Sequence, residues 1–168
     1  MSGPSPQSPF ESIKPPPLDD GDSLIGVTLA ERYVVQRLIG VGGMARVYVA
    51  QHRLIGRPLA IKVLKRDLAS DALLVRRFTN EGRTVGSLGH PNIVESIDMG
   101  ETPDGSPYLV LEFLDGAPLS HVLDRAGMLP VGRVCYIASQ IAQAHGGTLQ
   151  VESHSGKTTF TLSMAAAA

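Results

Sequence analysis

The sequence predicts an α+β fold: a five-stranded antiparallel sheet with one inserted helix, followed by further helices and a C-terminal β-hairpin. Three observations predict it. Short apolar runs bounded by glycine, proline and aspartate recur from Tyr33 to Leu114, and the stretch Ser70 to Leu88 carries apolar residues at helical spacing. The last segment alternates around a Ser-Gly pair. A chain of 168 residues holds one domain with a sizeable core plus appendages. With 43% hydrophobic and 18% charged residues it has an ordinary soluble composition, and it has no apolar run long enough for a spanning helix. Fifteen Lys and Arg against sixteen Asp and Glu leave a net charge of -1, so neither nucleic acid nor a membrane surface is an expected partner. Cys135 is the single cysteine, and Met1 to Phe10 lacks the basic and apolar regions of a signal peptide, so a cytoplasmic protein is expected.

Residues 1–24 read as a disordered arm, because Pro4, Pro6, Pro9, Pro15, Pro16 and Pro17 lie among polar and acidic residues that bury too little to offset ordering entropy. Strand signals follow at Tyr33 to Ile39, at Val47 to Ala50 beyond a glycine-rich break, and at Leu59 to Leu64 beyond Gly56 to Pro58. Leu73, Leu74, Phe78, Val85 and Leu88 then recur at helical spacing, with Ser70 and Asp71 as the start. Gly82 and Gly86 each weaken that helix by about 1 kcal/mol relative to alanine, so packing must hold it. Two more strands are expected at Ile93 to Met99 and Tyr108 to Leu114, joined by a turn at Pro103, Asp104 and Gly105. Residues 117–145 read as helical, with stretches at Leu119 to Ala126 and Val131 to Ala144. Residues 146–164 form the hairpin, in which Leu149 and Val151 should pair with Phe160 and Leu162 around Ser155-Gly156, and residues 165–168 are an alanine tail.

The chemistry-bearing residues begin with Ile39-Gly40-Val41-Gly42-Gly43-Met44-Ala45-Arg46-Val47. Its glycines sit between two strands, where they let a hairpin fold closely over a ligand and aim N–H groups at phosphates. A dinucleotide-binding turn would need a helix after the glycines, and a strand follows here. Lys62 stands on the third strand, about twenty residues after the first glycine, and Glu81 lies on the following helix.

Glycine hairpin, strand lysine and helix glutamate together resemble a protein kinase. From about Arg32 to about Ala142 the chain is similar to the N-terminal lobe of a bacterial, eukaryotic-like Ser/Thr protein kinase. The resemblance rests also on Arg32-Tyr33, Phe78, His90-Pro91-Asn92-Ile93-Val94 and Leu109-Val110-Leu111-Glu112-Phe113-Leu114-Asp115-Gly116. It implies that residues 25–116 are an ATP-binding lobe. Gly40, Val41, Gly42, Gly43, Met44 and Ala45 would form the phosphate loop, although many kinases carry a third glycine where Ala45 stands. Lys62 would hold the phosphates and Glu81 would orient it. Ile39, Val47 and Ala60 would cover the adenine, Leu111 would be the gatekeeper, and main-chain groups of Glu112 and Leu114 would bond the base.

The second half of that pattern does not appear in these residues. There is no His-Arg-Asp, no Asp-Phe-Gly and no Ala-Pro-Glu, so the resemblance implies a truncated kinase with the C-lobe absent. ATP is the implied cofactor; Mg2+ belongs to the family, but its ligands are missing. No catalytic residue is assigned, and scattered His52, His90, His121, His145 and His154 offer no metal spacing. The alternative function is a pseudokinase-like module that binds another kinase or a regulatory protein through the exposed lobe face. From Tyr136 to about residue 164 the tail also resembles the last helix and hairpin of a histidine-kinase ATP-binding domain. It departs in having Gly132-Arg133-Val134-Cys135 where a glycine-rich lid would stand, so no binding residue is carried over. A histidine-kinase fragment is the weaker alternative.

Overall fold

The computed structural model describes residues 24–154 and 157–163. The expected arm up to residue 23, the Ser155-Gly156 turn and the alanine tail lie outside the described residues. The chain divides into two compact units. The first runs to Ser87 and resumes over Glu95–Leu114; the second holds Leu88–Val94 and the residues from Asp115 onward.

The first unit is an antiparallel sheet of six strands rather than the five expected. They are β1 (Thr28–Leu29), β2 (Tyr33–Val41), β3 (Ala45–His52), β4 (Pro58–Leu64), β5 (Ser96–Glu101) and β6 (Pro107–Glu112), in the spatial order β1-β2-β3-β4-β6-β5. The extra strand is β1, two residues long and too short for any alternation to register. It turns into β2 through Ala30 and Glu31, both at positive φ (46° and 56°), with Arg32 N–H donating to Leu29 O at 3.0 Å. Non-glycine residues seldom adopt that backbone, so the turn carries no sequence signal. Leu29 is buried in the core, which gives the short strand its anchor.

The central strand β4 reads Pro-Leu-Ala-Ile-Lys-Val-Leu and is covered on both faces, which is why it reads as an apolar run instead of alternating. Ile61 and Val63 join Tyr33, Val35, Tyr48 and Val110 in one cluster, whereas Leu64 joins Ala45, Phe78 and Leu109 in another. The helix α1 (Ala72–Leu88) contributes Phe78 to that second cluster. Its start is fixed by Asp71, whose Oδ1 accepts from Leu73 N–H at 2.8 Å and Leu74 N–H at 3.2 Å. Where Ile93 to Met99 was expected as strand, pairing begins only at Ser96, because His90 to Ile93 close a turn (Ile93 N–H to His90 O, 3.0 Å).

The sheet curls far enough for β2 to reach β5. Tyr33 donates its hydroxyl to Asp98 Oδ2 at 2.7 Å, and Arg32 pairs with the same oxygen at 3.1 Å. Burial first, and then the Asp98 carboxylate, push the Tyr33 hydroxyl up to about 12.

In the second unit, α2 (Leu119–Ala126) and α3 (Val131–Ala144) precede a two-stranded ribbon of β7 (Thr148–His154) and β8 (Lys157–Ser163). Its register pairs Leu149 with Leu162 and Val151 with Phe160, as the alternation predicted. Asn92 Nδ2 donates to Gln140 Oε1 at 2.7 Å, joining the turn after α1 to α3.

Candidate functional site

The strand register decides which residues share a patch. Val47 on β3, Lys62 on β4 and Leu109 on β6 lie in one row across the sheet, and Ala60 pairs with Leu111 one step along. Alternation puts Lys62 and Ala60 on the same face, toward α1. There the Lys62 ammonium meets Glu81 Oε1 at 2.6 Å and stands 5.7 Å from the centroid of the Phe78 ring. Phe78 and Glu81 are three residues apart and project from one side of α1. The side chains of Lys62 and Glu81 are 22% and 49% exposed, so solvent screens the pair and its contribution to stability is about 0.2–1 kcal/mol. Its consequence is placement: an ammonium held on a rigid strand by a carboxylate on a helix.

What lets the helix come that close is Gly82. A Cβ there would stand 2.3 Å from Leu109 Cδ2, and Leu109 is the residue paired with Lys62 on β6. In the sequence alone Gly82 is only a weak point of the helix, because Leu109 is distant along the chain. The signal for its packing role is a glycine next to the glutamate on the buried side of the helical pattern.

The β2–β3 hairpin turns through Gly42, Gly43 and Met44, and Gly42 N–H donates to Ala45 O at 2.8 Å. That amide is therefore used inside the hairpin instead of being aimed outward. None of Gly40, Gly42 and Gly43 has positive φ, and a Cβ on any of them meets nothing closer than 3.4 Å. The chain's own fold does not demand glycine at these positions. Met44 and Ala45 pack on the cluster of Leu64, Phe78 and Leu109, so these two expected loop residues serve the core. Ile39 and Val47 are half-buried, Val41 is exposed, and Leu111 packs partly against the α1-side cluster.

Beyond β6 the structure separates the two residues expected to meet a base. Glu112 exchanges with Glu95: its N–H donates to Glu95 O at 3.1 Å, and its Oε1 accepts from Glu95 N–H at 2.9 Å. Its amide is thus occupied. Leu114 lies past the end of the strand and is 58% exposed. Two cavities, of about 240 and 460 Å3, include neither Lys62 nor Glu81 nor any other residue expected to bind the nucleotide.

The sequence matches the family described as protein kinase domain over residues 33–145. The chain belongs to the protein kinase family. Curated relatives include the serine/threonine-protein kinase pkn3 of Myxococcus xanthus, 37% identical over 131 residues, and PrkC of Bacillus subtilis, 40% identical over 121. These alignments cover 76% and 72% of this kinase chain but only 24% and 18% of the relatives. The PknA kinase of Mycobacterium tuberculosis is 41% identical over 124 residues, 71% of this chain and 29% of that one. Among solved structures, the kinase domain of M. tuberculosis PknI superposes with a TM-score of 0.59 at 36% identity, covering 71% of this chain and 49% of that one. The chain therefore spans about a quarter of the length of the curated relatives and half of the solved kinase domain.

The family match ends at His145 and takes in the whole of α3, so the histidine-kinase resemblance of the tail finds no support there. The family's Mg2+ also fails to fit these residues. No group of three or more His, Cys, Asp or Glu that could hold a metal occurs among the described residues, and no Asp-Phe-Gly occurs in the sequence. Among the described residues no helix is long and apolar enough to cross a membrane.

Proposed function

We propose that these 168 residues act as the nucleotide-binding lobe of a Ser/Thr protein kinase, with the cytoplasm as its compartment, and that by themselves they do not transfer phosphate. The observation that carries the reading is the Lys62–Glu81 pair at 2.6 Å, with Lys62 in register with Val47 of the hairpin's second strand. In this reading the Lys62 ammonium meets ATP phosphates, and Gly40, Gly42 and Gly43 admit the nucleotide because no side chain stands in its way. Ile39, Val47, Ala60 and Leu111 receive the adenine, and the Glu112 carbonyl and the Leu114 main chain meet its edge. The glycines support it because the hairpin itself places no demand for them.

Transfer needs more than this site holds. An acceptor hydroxyl must be aligned in line with the phosphorus and the developing charge neutralised, tasks that fall in this family to a catalytic-loop aspartate and metal ligands absent from these residues. Calorimetric titration with ATP should show weak binding that Lys62→Met weakens further; unchanged affinity in Lys62→Met removes the assignment. Radiolabelled ATP should give no transfer above the Lys62→Met control. A rate above it, with contaminating kinases excluded by mass spectrometry, would refute the inactive reading.

One observation favours a second reading, an interaction module. Leu119, Met128, Val131, Tyr136 and Ile141 of the second unit are large apolar residues left exposed. Sedimentation that stays monomeric across the accessible concentrations would count against self-association as the form of that interaction.

A further inference from the structure

The geometry points to a second binding site in the first unit, an oxyanion pocket where the start of β3, the end of β4 and the β5–β6 turn meet. It is a cavity of about 240 Å3 lined by Leu24, Arg46, Lys65, Arg66, Asp104 and Ser106, among others. Lys65 and Arg66 line it beside one carboxylate, Asp104, and that carboxylate is already engaged. Asp104 takes the Thr102 hydroxyl as its nearest partner, whereas Arg66 Nε stands 3.9 Å from it. The Arg66 side chain is 68% exposed, and Lys65 has no carboxylate partner among the described residues.

Ser106 supplies the independent observation. The residue is 2% exposed, and its N–H and carbonyl are both satisfied by Thr102 at 3.0 and 2.9 Å. Its Oγ is buried with no hydrogen-bond partner. A buried hydroxyl left unpaired costs free energy that a bound acceptor would recover. Lys65, Arg66 and Ser106 thus combine two positive charges with an unused hydroxyl donor, which suits carboxylate or phosphate oxygens and no cation or apolar group.

Two sources carry that chemistry. One is a dissolved phosphate-bearing solute. The other is the chain's own run Asp19-Asp20-Gly21-Asp22, whose last carboxylate precedes the lining residue Leu24 by two residues, at most about 7 Å of extended chain.

The test uses the full 15N-labelled chain, with inorganic phosphate titrated against chloride at constant ionic strength. The amides of Lys65, Arg66 and Ser106 report this pocket, and those of Gly42 and Lys62 report the kinase site. Saturable shifts at the first set in the wild type identify a dissolved anion as the occupant. Shifts caused by Asp19→Asn/Asp20→Asn/Asp22→Asn, with phosphate binding only after that neutralisation, identify the chain's own carboxylates. In either case Lys65→Gln/Arg66→Gln abolishes the response, and Ser106→Ala weakens it by about tenfold, the scale of one lost charge-assisted hydrogen bond. Amides of Lys65, Arg66 and Ser106 that move neither with phosphate nor with arm neutralisation overturn the site. So does a phosphate response that survives Lys65→Gln/Arg66→Gln.

Discussion

Replacing Gly82 by alanine sets two effects of opposite sign against each other. In an unpacked helix the change gains about 1 kcal/mol. Here the added methyl would stand 2.3 Å from Leu109 Cδ2 and 3.1 Å from Leu109 Cδ1, where carbon atoms in contact prefer about 3.5–4 Å. Leu109 is buried against Ala45, Leu64 and Phe78, so it has no open space to rotate into. Either α1 moves off the sheet by more than an ångström or the core around Phe78 repacks. Overpacking of this kind costs about 1–3 kcal/mol, so we expect a net loss of up to about 2 kcal/mol, a fall in urea midpoint of up to about 1 M. Moving α1 also carries Glu81 away from Lys62, so nucleotide affinity should fall with stability. A double-mutant cycle isolates the cause. Leu109→Ala alone should cost about 2–5 kcal/mol by leaving a cavity, and in that background Gly82→Ala should become neutral or stabilising. A raised midpoint for Gly82→Ala in the wild-type background, or additive effects in the cycle, would refute the role assigned to Gly82.

Two further outcomes follow from the first unit. Tyr33→Phe loses the hydrogen bond to Asp98 and should cost about 1 kcal/mol at neutral pH. Because the folded chain holds the Tyr33 proton up to about 12 and the unfolded chain releases it near about 10, the wild-type advantage should shrink as pH rises between those values. A difference in melting temperature that stays constant over that window would contradict the shift. Asp71→Ala removes the acceptor for Leu73 and Leu74 and should cost about 1 kcal/mol in chemical denaturation, with Asp71→Asn nearly neutral; equal losses in both variants would show that the cap is not the cause.

Much of the sheet was legible because strand periodicity is local: Ala60 and Lys62 fall on one face of β4 by alternation alone. The helix was legible too, since the spacing from Leu73 to Leu88 and the cap at Asp71 lie within one segment. Three things were not legible, each depending on residues distant in sequence. Met44 and Ala45 look like loop residues beside two glycines, yet tertiary packing draws them to Phe78 and Leu64. Gly82 reads as a helix breaker until Leu109 is placed opposite it. Ile93 and Val94 are apolar enough for a strand, but the His90–Ile93 turn takes that stretch and delays pairing to Ser96.

The order β3-β4-β6 has a consequence for how the chain is made. As residues emerge from a ribosome, β2, β3 and β4 pair in sequence through short turns. The other neighbour of β4 is then unavailable, because α1 and β5 are synthesised before β6. Roughly forty residues separate Leu64 from Pro107, which at about 5–20 residues per second leaves β4 as an open edge for about 2–9 s. That edge carries Leu59, Ile61 and Val63, apolar and rich in branched side chains, with no proline after Pro58 and only Lys62 as a charge. Such an edge is a template for pairing with another nascent chain. Lys62 is therefore the one residue of the strand placed to discourage that pairing before it has a helix glutamate to meet.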